Sequence, residues 1–269
     1  MLELDERFSY QGQSIAWGAM GEGDPIVLIH GFPWSAQAWR SIAPWLAKTH
    51  KVYYFDMLGT GLSEKGSDQN GTESVQSDLL EALIGDWQLK RPQVIGHDFG
   101  GLCALRGHFM NGIAYSKLLL VNAVAVLPSG SPFYAHVAKH EPAFAGLPDY
   151  AHEALFPAYI QAAARYLLRE EAIRMYFEPW SGETGKAAFY RQIAHDDLGN
   201  IESAQKLYAE PDFDVHMTWG MRDTFIRSEH GREVQDLLNA KSFTPIPHAS
   251  HIVHEDAPAA LLGSLLKSI

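Results

Sequence analysis

The amino-acid sequence predicts a doubly wound, mostly parallel α/β sheet with an inserted helical cap. Three observations carry that expectation. Short unbroken apolar runs, among them Ile26-Val27-Leu28-Ile29, Val52-Tyr53-Tyr54-Phe55 and Leu118-Leu119-Leu120-Val121, alternate with stretches of helical spacing. Such runs suit strands buried on both faces, as in a parallel sheet covered by helices. The alternation breaks after about Leu127. From 128 to 210 the chain shows helical periodicity, several prolines and many aromatics but no strand pattern, and strands resume at Val215–Gly220. The core is therefore expected over 1–127 and 211–269 and the cap over 128–210. A block inserted there covers the sheet edge at which open α/β sheets bind ligands.

In chain order, residues 7–19 read as two short strands joined by a Gln11-Gly12 turn. Pro25 opens the next strand, which ends in His30-Gly31-Phe32-Pro33. Residues 36–48 have helical spacing, and the strand Val52–Asp56 leads into a loop running to Ser63. A helix is expected from about Thr72 to Trp87. The strand Gln93–Gly96 then runs into Gly96-His97-Asp98-Phe99-Gly100-Gly101, followed by a helix to Met110 and a strand over Lys117–Asn122. After the insertion come Val215–Gly220, a helix, the strand Lys241–Ile246 and a C-terminal helix starting near Asp256.

Composition narrows the function classes. Hydrophobic residues make up 46% of the 269 and charged residues 20%, enough to bury a sizeable core. A formal net charge of −11 argues against nucleic acid or an anionic membrane as partner, since both call for basic patches. The single cysteine, Cys103, excludes an internal disulfide and suggests a reducing compartment. Residues 1–7 lack the apolar core of a signal peptide, and no apolar run reaches membrane-spanning length. The expectation is a cytoplasmic monomer or homodimer that acts on a small apolar molecule and needs no metal or cofactor.

The chemistry centres on Gly96-His97-Asp98-Phe99-Gly100. Strand, sharp turn and helix around Gly-x-nucleophile-x-Gly form a nucleophile elbow, with Asp98 in the central place. The competing reading makes Asp98 a helix cap, a task aspartate does well. An aimed, desolvated carboxylate attacks carbon without a base, but the resulting ester needs an activated water. Asp223 follows one late strand and His251 the last, and the order nucleophile, acid, histidine suits this architecture. His248 and His254 are rivals for His251. The backbone N–H groups of Phe99, at the helix start, and Phe32, after His30-Gly31, are the expected oxyanion donors.

These residues carry a family resemblance. His30-Gly31-Phe32-Pro33, Asp56-x-x-Gly59-x-Gly61-x-Ser63, the elbow, and Ser250-His251-x-x-x-Glu255-x-x-Pro258 resemble the α/β-hydrolase superfamily over essentially the whole chain. The last pattern selects His251 over its neighbours. The Gly-His-Asp elbow is similar to the aspartate-nucleophile branch, which holds epoxide hydrolases, haloalkane dehalogenases and fluoroacetate dehalogenases. Where haloalkane dehalogenases carry a halide-binding tryptophan and often an asparagine, this chain has Phe99 and Phe32. Where fluoroacetate dehalogenases carry two arginines it has Phe99 and Leu102, and Leu58 stands where many epoxide hydrolases carry arginine. The resemblance thus implies hydrolysis at saturated carbon, first of an epoxide to a diol, with a haloalkane or haloacid dehalogenase as the alternative. A dehalogenase here would take its halide donors from Trp34, Trp180 or His140. A non-catalytic ligand-binding protein on the same scaffold is the rival from another class. Epoxide opening calls for proton donors in the cap. Ala187-Ala188-Phe189-Tyr190-Arg191 resembles a cap-tyrosine segment, which puts Tyr190 forward. His140 and Tyr150 are the candidates for a first donor, with Tyr134 and Tyr159 behind them.

Overall fold

A computed structural model describes residues 1–66, 71–195 and 198–269. Among them eight strands form one sheet: β1 (Glu6–Tyr10), β2 (Gln13–Met20), β3 (Asp24–Ile29), β4 (His50–Phe55), β5 (Gln93–His97), β6 (Lys117–Val121), β7 (Asp214–Gly220) and β8 (Ser242–Ile246). Their spatial order is β1-β2-β4-β3-β5-β6-β7-β8. β1 and β2 pair antiparallel, as do β2 and β4, while every other neighbouring pair is parallel. The elbow strand β5 lies in the middle, with Ile95 opposite Leu28 on one side and Leu119 on the other.

The apolar runs are unbroken because both faces of the sheet are covered. Val27, Ile29, Val94, Leu118 and Leu120 point into one hydrophobic core, while Ile26, Leu28, Ile95, Leu119 and Val121 point into the other. That is the strand's period of two with neither face left to solvent. The helices of the sheet are α1 (Ala43–Leu46), α2 (Glu73–Asp86), α3 (Phe99–Phe109), α9 (Ser228–Leu237), α10 (Val253–Asp256) and α11 (Pro258–Leu265). Between β6 and β7 come α4 (Pro132–Ala145), α5 (Asp149–Ala162), α6 (Glu170–Phe177), α7 (Gly182–Ala194) and α8 (Leu198–Gln205). No helix among the described residues is long and apolar enough to cross a membrane.

One expected helix is broken by proline. The stretch 36–48 is a 3₁₀ turn over Ala36–Ser41 followed by α1, with Pro44 in the first turn of the restarted helix. The C-terminal helix expected from near Asp256 is α11, which starts at Pro258 after Ala257 leaves the helical region at φ −149° and ψ 56°. Proline disfavours helical backbone in the residue before it and suits a helix start.

Two sequence patterns act as clips that hold the loops under the site. Asp56 accepts from the N–H of Ala36 at 2.7 Å and of Leu62 at 2.7 Å. Ser63 Oγ donates to the Asp56 carbonyl at 2.6 Å and accepts from the Ala16 N–H at 3.0 Å. Gly61 sits at φ +49°, and a Cβ there would overlap the Asp56 carboxylate. His30 Nε2 accepts from the Met57 N–H at 3.0 Å, so Nδ1–H donates to the Gly31 carbonyl at 2.8 Å. Burial holds the His30 pKa low, and the bond from Met57 needs that neutral ring. These bonds seat the His-Gly-Phe-Pro segment beside the elbow.

Candidate active site

Asp98 occupies the turn between β5 and α3 with φ 54° and ψ −124°, backbone that non-glycine residues rarely adopt. Its side chain makes no capping bond to α3, so the competing role as helix cap is not the one it plays. The flanking glycines are sterically required. A Cβ on Gly96 would lie 2.7 Å from the Gly100 carbonyl oxygen, and one on Gly100 would overlap the His30 carbonyl. The turn costs about 1–3 kcal/mol of backbone strain and is held by the packed strands around it.

The strained turn aims the carboxylate. Asp98 Oδ1 accepts from the Phe32 N–H at 3.0 Å, and Oδ2 lies 3.2 Å from His251 Nε2. The Phe99 N–H also favours the charged form of this carboxylate. On the far side of the imidazole, His251 Nδ1 lies 2.9 Å from Asp223 Oδ2, and Asp223 Oδ1 accepts from the N–H groups of Phe225 at 2.7 Å and Ile226 at 2.9 Å. Asp98, His251 and Asp223, expected together from three distant segments, meet here, as do the two expected backbone donors.

The electrostatics follow from that geometry. Burial favours the neutral form of Asp98, but the hydrogen bond and charge of His251, aided by the Phe99 N–H, hold its pKa below the ordinary carboxylate value. Burial likewise opposes the His251 cation, yet the carboxylates of Asp223 and Asp98 outweigh it and raise its pKa to about 10. The resting pair is a carboxylate facing an imidazolium.

The rival histidines are placed elsewhere. His248 is exposed on the surface. His254 is buried beneath the site, edge-on to Trp39 at 4.3 Å and His97 at 4.6 Å between ring centroids, and its burial with positive neighbours pushes its pKa well down. His97 Nε2 lies 3.1 Å from the His251 carbonyl, and burial holds its pKa at about 4, so the neutral ring donates that bond. Cys103 is buried in α3 with its thiol pKa raised well above normal by that burial, which suits packing and disfavours a thiolate nucleophile.

Asn122 is a member of the constellation that sequence reasoning passes over as the last residue of a strand. At φ 41° it turns back under the site, where Nδ2 donates to Asp223 Oδ2 at 2.6 Å and Oδ1 accepts from the Gly220 N–H at 2.9 Å. Asparagine tolerates left-handed backbone, and that is the one local signal it offered. Replacing Asn122 with Ala leaves a buried carboxylate one donor short. The variant is expected to lose roughly 1–3 kcal/mol of stability, read as a lower denaturation midpoint at unchanged m-value.

Above Asp98 lies a small cavity walled by Phe32, Phe99, Tyr134, Tyr159 and Phe225 among others. The cap contacts expected from sequence require correction. Tyr190 is fully buried inside the cap, off the cavity wall, and its hydroxyl donates to His152 Nδ1 at 2.9 Å while His152 Nε2–H donates to the Trp180 carbonyl at 3.0 Å. Tyr150 is 76% exposed on the first turn of α5, and His140 is exposed where α4 kinks before Pro142. Trp34 is buried edge-on against Tyr176, 4.9 Å between centroids, away from the cavity. Trp180 Nε1 is committed to the Pro33 carbonyl at 2.8 Å. The tyrosines that line the cavity are Tyr134 from α4 and Tyr159 from α5. Helical periodicity reveals that these helices bury a face, but which face looks down on Asp98 depends on how they pack. Among the described residues no group of three His, Cys, Asp or Glu side chains is arranged to hold a metal ion.

The comparisons with known proteins agree with this architecture. The Alpha/beta hydrolase family model matches residues 26–263. The crystal structure of an alpha/beta hydrolase fold protein from Burkholderia ambifaria is 48% identical with a TM-score of 0.97, covering 99% of this chain and 98% of that one. The soluble epoxide hydrolase of Corynebacterium sp. (strain C12) is 31% identical over 144 residues, 52% of this chain and 50% of that protein. A mutant haloalkane dehalogenase DatA from Agrobacterium tumefaciens C58 shares the fold at a TM-score of 0.81 with 19% identity, over 97% of this chain and 94% of that one. Family model and the Burkholderia relative each span most of the sequence, and the protein belongs to the alpha/beta hydrolase family.

Proposed function

We propose that this protein hydrolyses a small epoxide to a diol through a covalent Asp98 ester. The observation that carries the reading is that Asp98, Tyr134 and Tyr159 line one cavity. An aimed carboxylate serves several leaving groups. An epoxide oxygen is distinctive because it stays on the product and needs a proton as the C–O bond breaks. Burial, and after it the charge of Asp98, raises the Tyr159 pKa, so this phenol keeps its proton until an alkoxide asks for it. The halide alternative finds less support, since Trp34, Trp180 and His140, its expected donors, are buried elsewhere, committed or exposed.

In the first half-reaction Asp98 Oδ2 attacks a ring carbon, the opposite C–O bond breaks, and the oxygen takes a proton from Tyr159. Oδ1, already on the Phe32 N–H, becomes the ester carbonyl oxygen. Esterification removes one of the two negative charges that raised the His251 pKa. The imidazolium can then return a proton to the tyrosinate and become a base. It next deprotonates water, the hydroxide adds to the ester carbon, and the oxyanion rests on the N–H groups of Phe32 and Phe99. The product alkoxide leaves with the His251 proton, and the carboxylic acid then reprotonates the imidazole, restoring the resting pair.

The test is turnover of a panel of small terminal epoxides and haloalkanes by the wild type and by Tyr159→Phe. The wild type should convert epoxides to diols, and the variant should open the ring roughly 10²-fold more slowly while hydrolysing a preformed ester at nearly the same rate. Turnover of haloalkanes with no action on any epoxide would overturn the reading.

A further inference from the structure

The two backbone donors at Asp98 are held in different ways. Phe99 opens α3, whereas Phe32 lies in the loop between β3 and the 3₁₀ turn, outside any helix or strand. From the core, the His30 Nδ1–H bond to the Gly31 carbonyl at 2.8 Å grips the peptide plane that contains the Phe32 N–H. From the cap, Trp180 grips the same short segment at two points. Its Nε1–H donates to the Pro33 carbonyl at 2.8 Å, and its ring packs edge-on against the Phe32 ring, 5.4 Å between centroids. Phe189 of α7 stacks on the Phe32 ring, also at 5.4 Å. Trp180 is itself fixed within the cap. His152 of α5 donates to its carbonyl at 3.0 Å, and α7 passes so close that a Cβ on Gly185 would lie 2.6 Å from its carbonyl carbon. A chain of contacts therefore runs from three cap segments to the N–H that lies 3.0 Å from Asp98 Oδ1. An apolar ring at position 180 would fill the same space, but the indole adds a hydrogen bond that fixes the loop in direction as well as in distance.

We infer that Trp180 is a positioning residue through which the cap holds the Phe32 N–H on the oxygen that becomes the oxyanion. The inference rests on the covalent-ester reading for its kinetic consequence but not for its geometry. The two half-reactions make different demands on this donor. Ester formation draws charge away from Oδ1, so a slackened Phe32 N–H does not slow it. Ester hydrolysis places a full negative charge on Oδ1 as water adds, and there a misplaced donor lowers the rate. The cap must accordingly stay docked on this loop while the ester is hydrolysed.

The experiment compares Trp180→Phe, which keeps a ring and removes the donor, with Tyr176→Phe. Tyr176 also ties the cap to the core, donating from α6 to Glu255 Oε1 of α10 at 2.7 Å, and phenylalanine there keeps a ring against Trp34. A terminal epoxide is followed through a single turnover by rapid quench and intact-protein mass. In Trp180→Phe the Asp98 ester should form within about twofold of the wild-type rate and decay roughly tenfold more slowly, a fraction of what outright loss of an oxyanion donor costs. By NMR, without substrate, the Phe32 amide should exchange with solvent roughly tenfold faster. Tyr176→Phe should change neither readout. If Trp180→Phe does not fold, the tryptophan analogue benzothienylalanine in place of Trp180 keeps the bicyclic shape, lacks the N–H and should meet the same expectations. Equal slowing of ester formation and decay would mark a purely structural role and overturn the inference. Unchanged ester decay, wild-type exchange at Phe32, or the same effects from Tyr176→Phe would overturn it too. If no epoxide turns over but the Phe32 amide loosens in Trp180→Phe alone, the epoxide reading falls and the hold of the cap on Phe32 stands.

Discussion

His251→Gln will form the covalent ester and fail to release it. Glutamine keeps a polar group beside Asp98 but cannot take a proton from water, so the reaction should stop after its first half. Incubated with a substrate epoxide, the variant should gain the whole mass of that epoxide in intact-protein mass spectrometry. Steady-state turnover should fall by roughly 10²–10⁴-fold, the usual contribution of a general base. A peptide map should place the adduct on Asp98. A variant that stays unmodified, beside a wild type that also turns nothing over, would end the covalent mechanism and favour a non-catalytic binding protein on this scaffold. The pH dependence of the wild type adds a sharper check. Ester formation needs ionised Asp98, whose pKa is depressed, so its acid limb should lie below the ordinary carboxylate range. Ester hydrolysis needs neutral His251, and its limb should lie well below the value of about 10 in the resting protein, because Asp98 is then uncharged.

Asp98→Asn should abolish both adduct and turnover, by roughly 10⁴-fold or more, since removal of a covalent nucleophile is among the most damaging changes an active site can suffer. Unchanged activity in this variant would refute the assignment. A second readout does not depend on any substrate. A pKa raised to about 10 in the folded state means that His251 binds its proton more tightly there than in the unfolded chain. That contribution to stability is fully present below the unfolded value, roughly 6.5, and is lost as pH rises through the folded one. Asparagine removes one of the two carboxylates responsible. The decline in wild-type stability across the alkaline range should therefore be shallower in Asp98→Asn, with the imidazole titrating at a lower pH by NMR.

The parts of the fold that could be read from sequence are those in which one local constraint acts alone. Unbroken apolar runs implied strands buried on both faces, and Val27 and Leu28 do point into opposite cores. Pro44 shows the limit, because helical spacing over 36–48 suggested continuity where the proline restarts the helix. The elbow was legible because sterics leave it few solutions: Gly96 and Gly100 have no room for a Cβ, and only the residue between them is thrust outward.

The cap was not legible in the same way. Tyr190, His140, Tyr150 and Trp34 carry suitable groups, yet burial inside the cap, exposure or packing against Tyr176 keeps them from the cavity, while Tyr134 and Tyr159 line it. Asn122 was hidden for a related reason, since its meaning lies in a partner far along the chain. Sequence alone determined the sheet, the elbow, and the order of Asp98, Asp223 and His251, because backbone sterics and hydrophobic period act between near neighbours. The tertiary structure decided which side chains surround the substrate, because the rotation of a packed helix is set by contacts with residues that its own sequence does not contain.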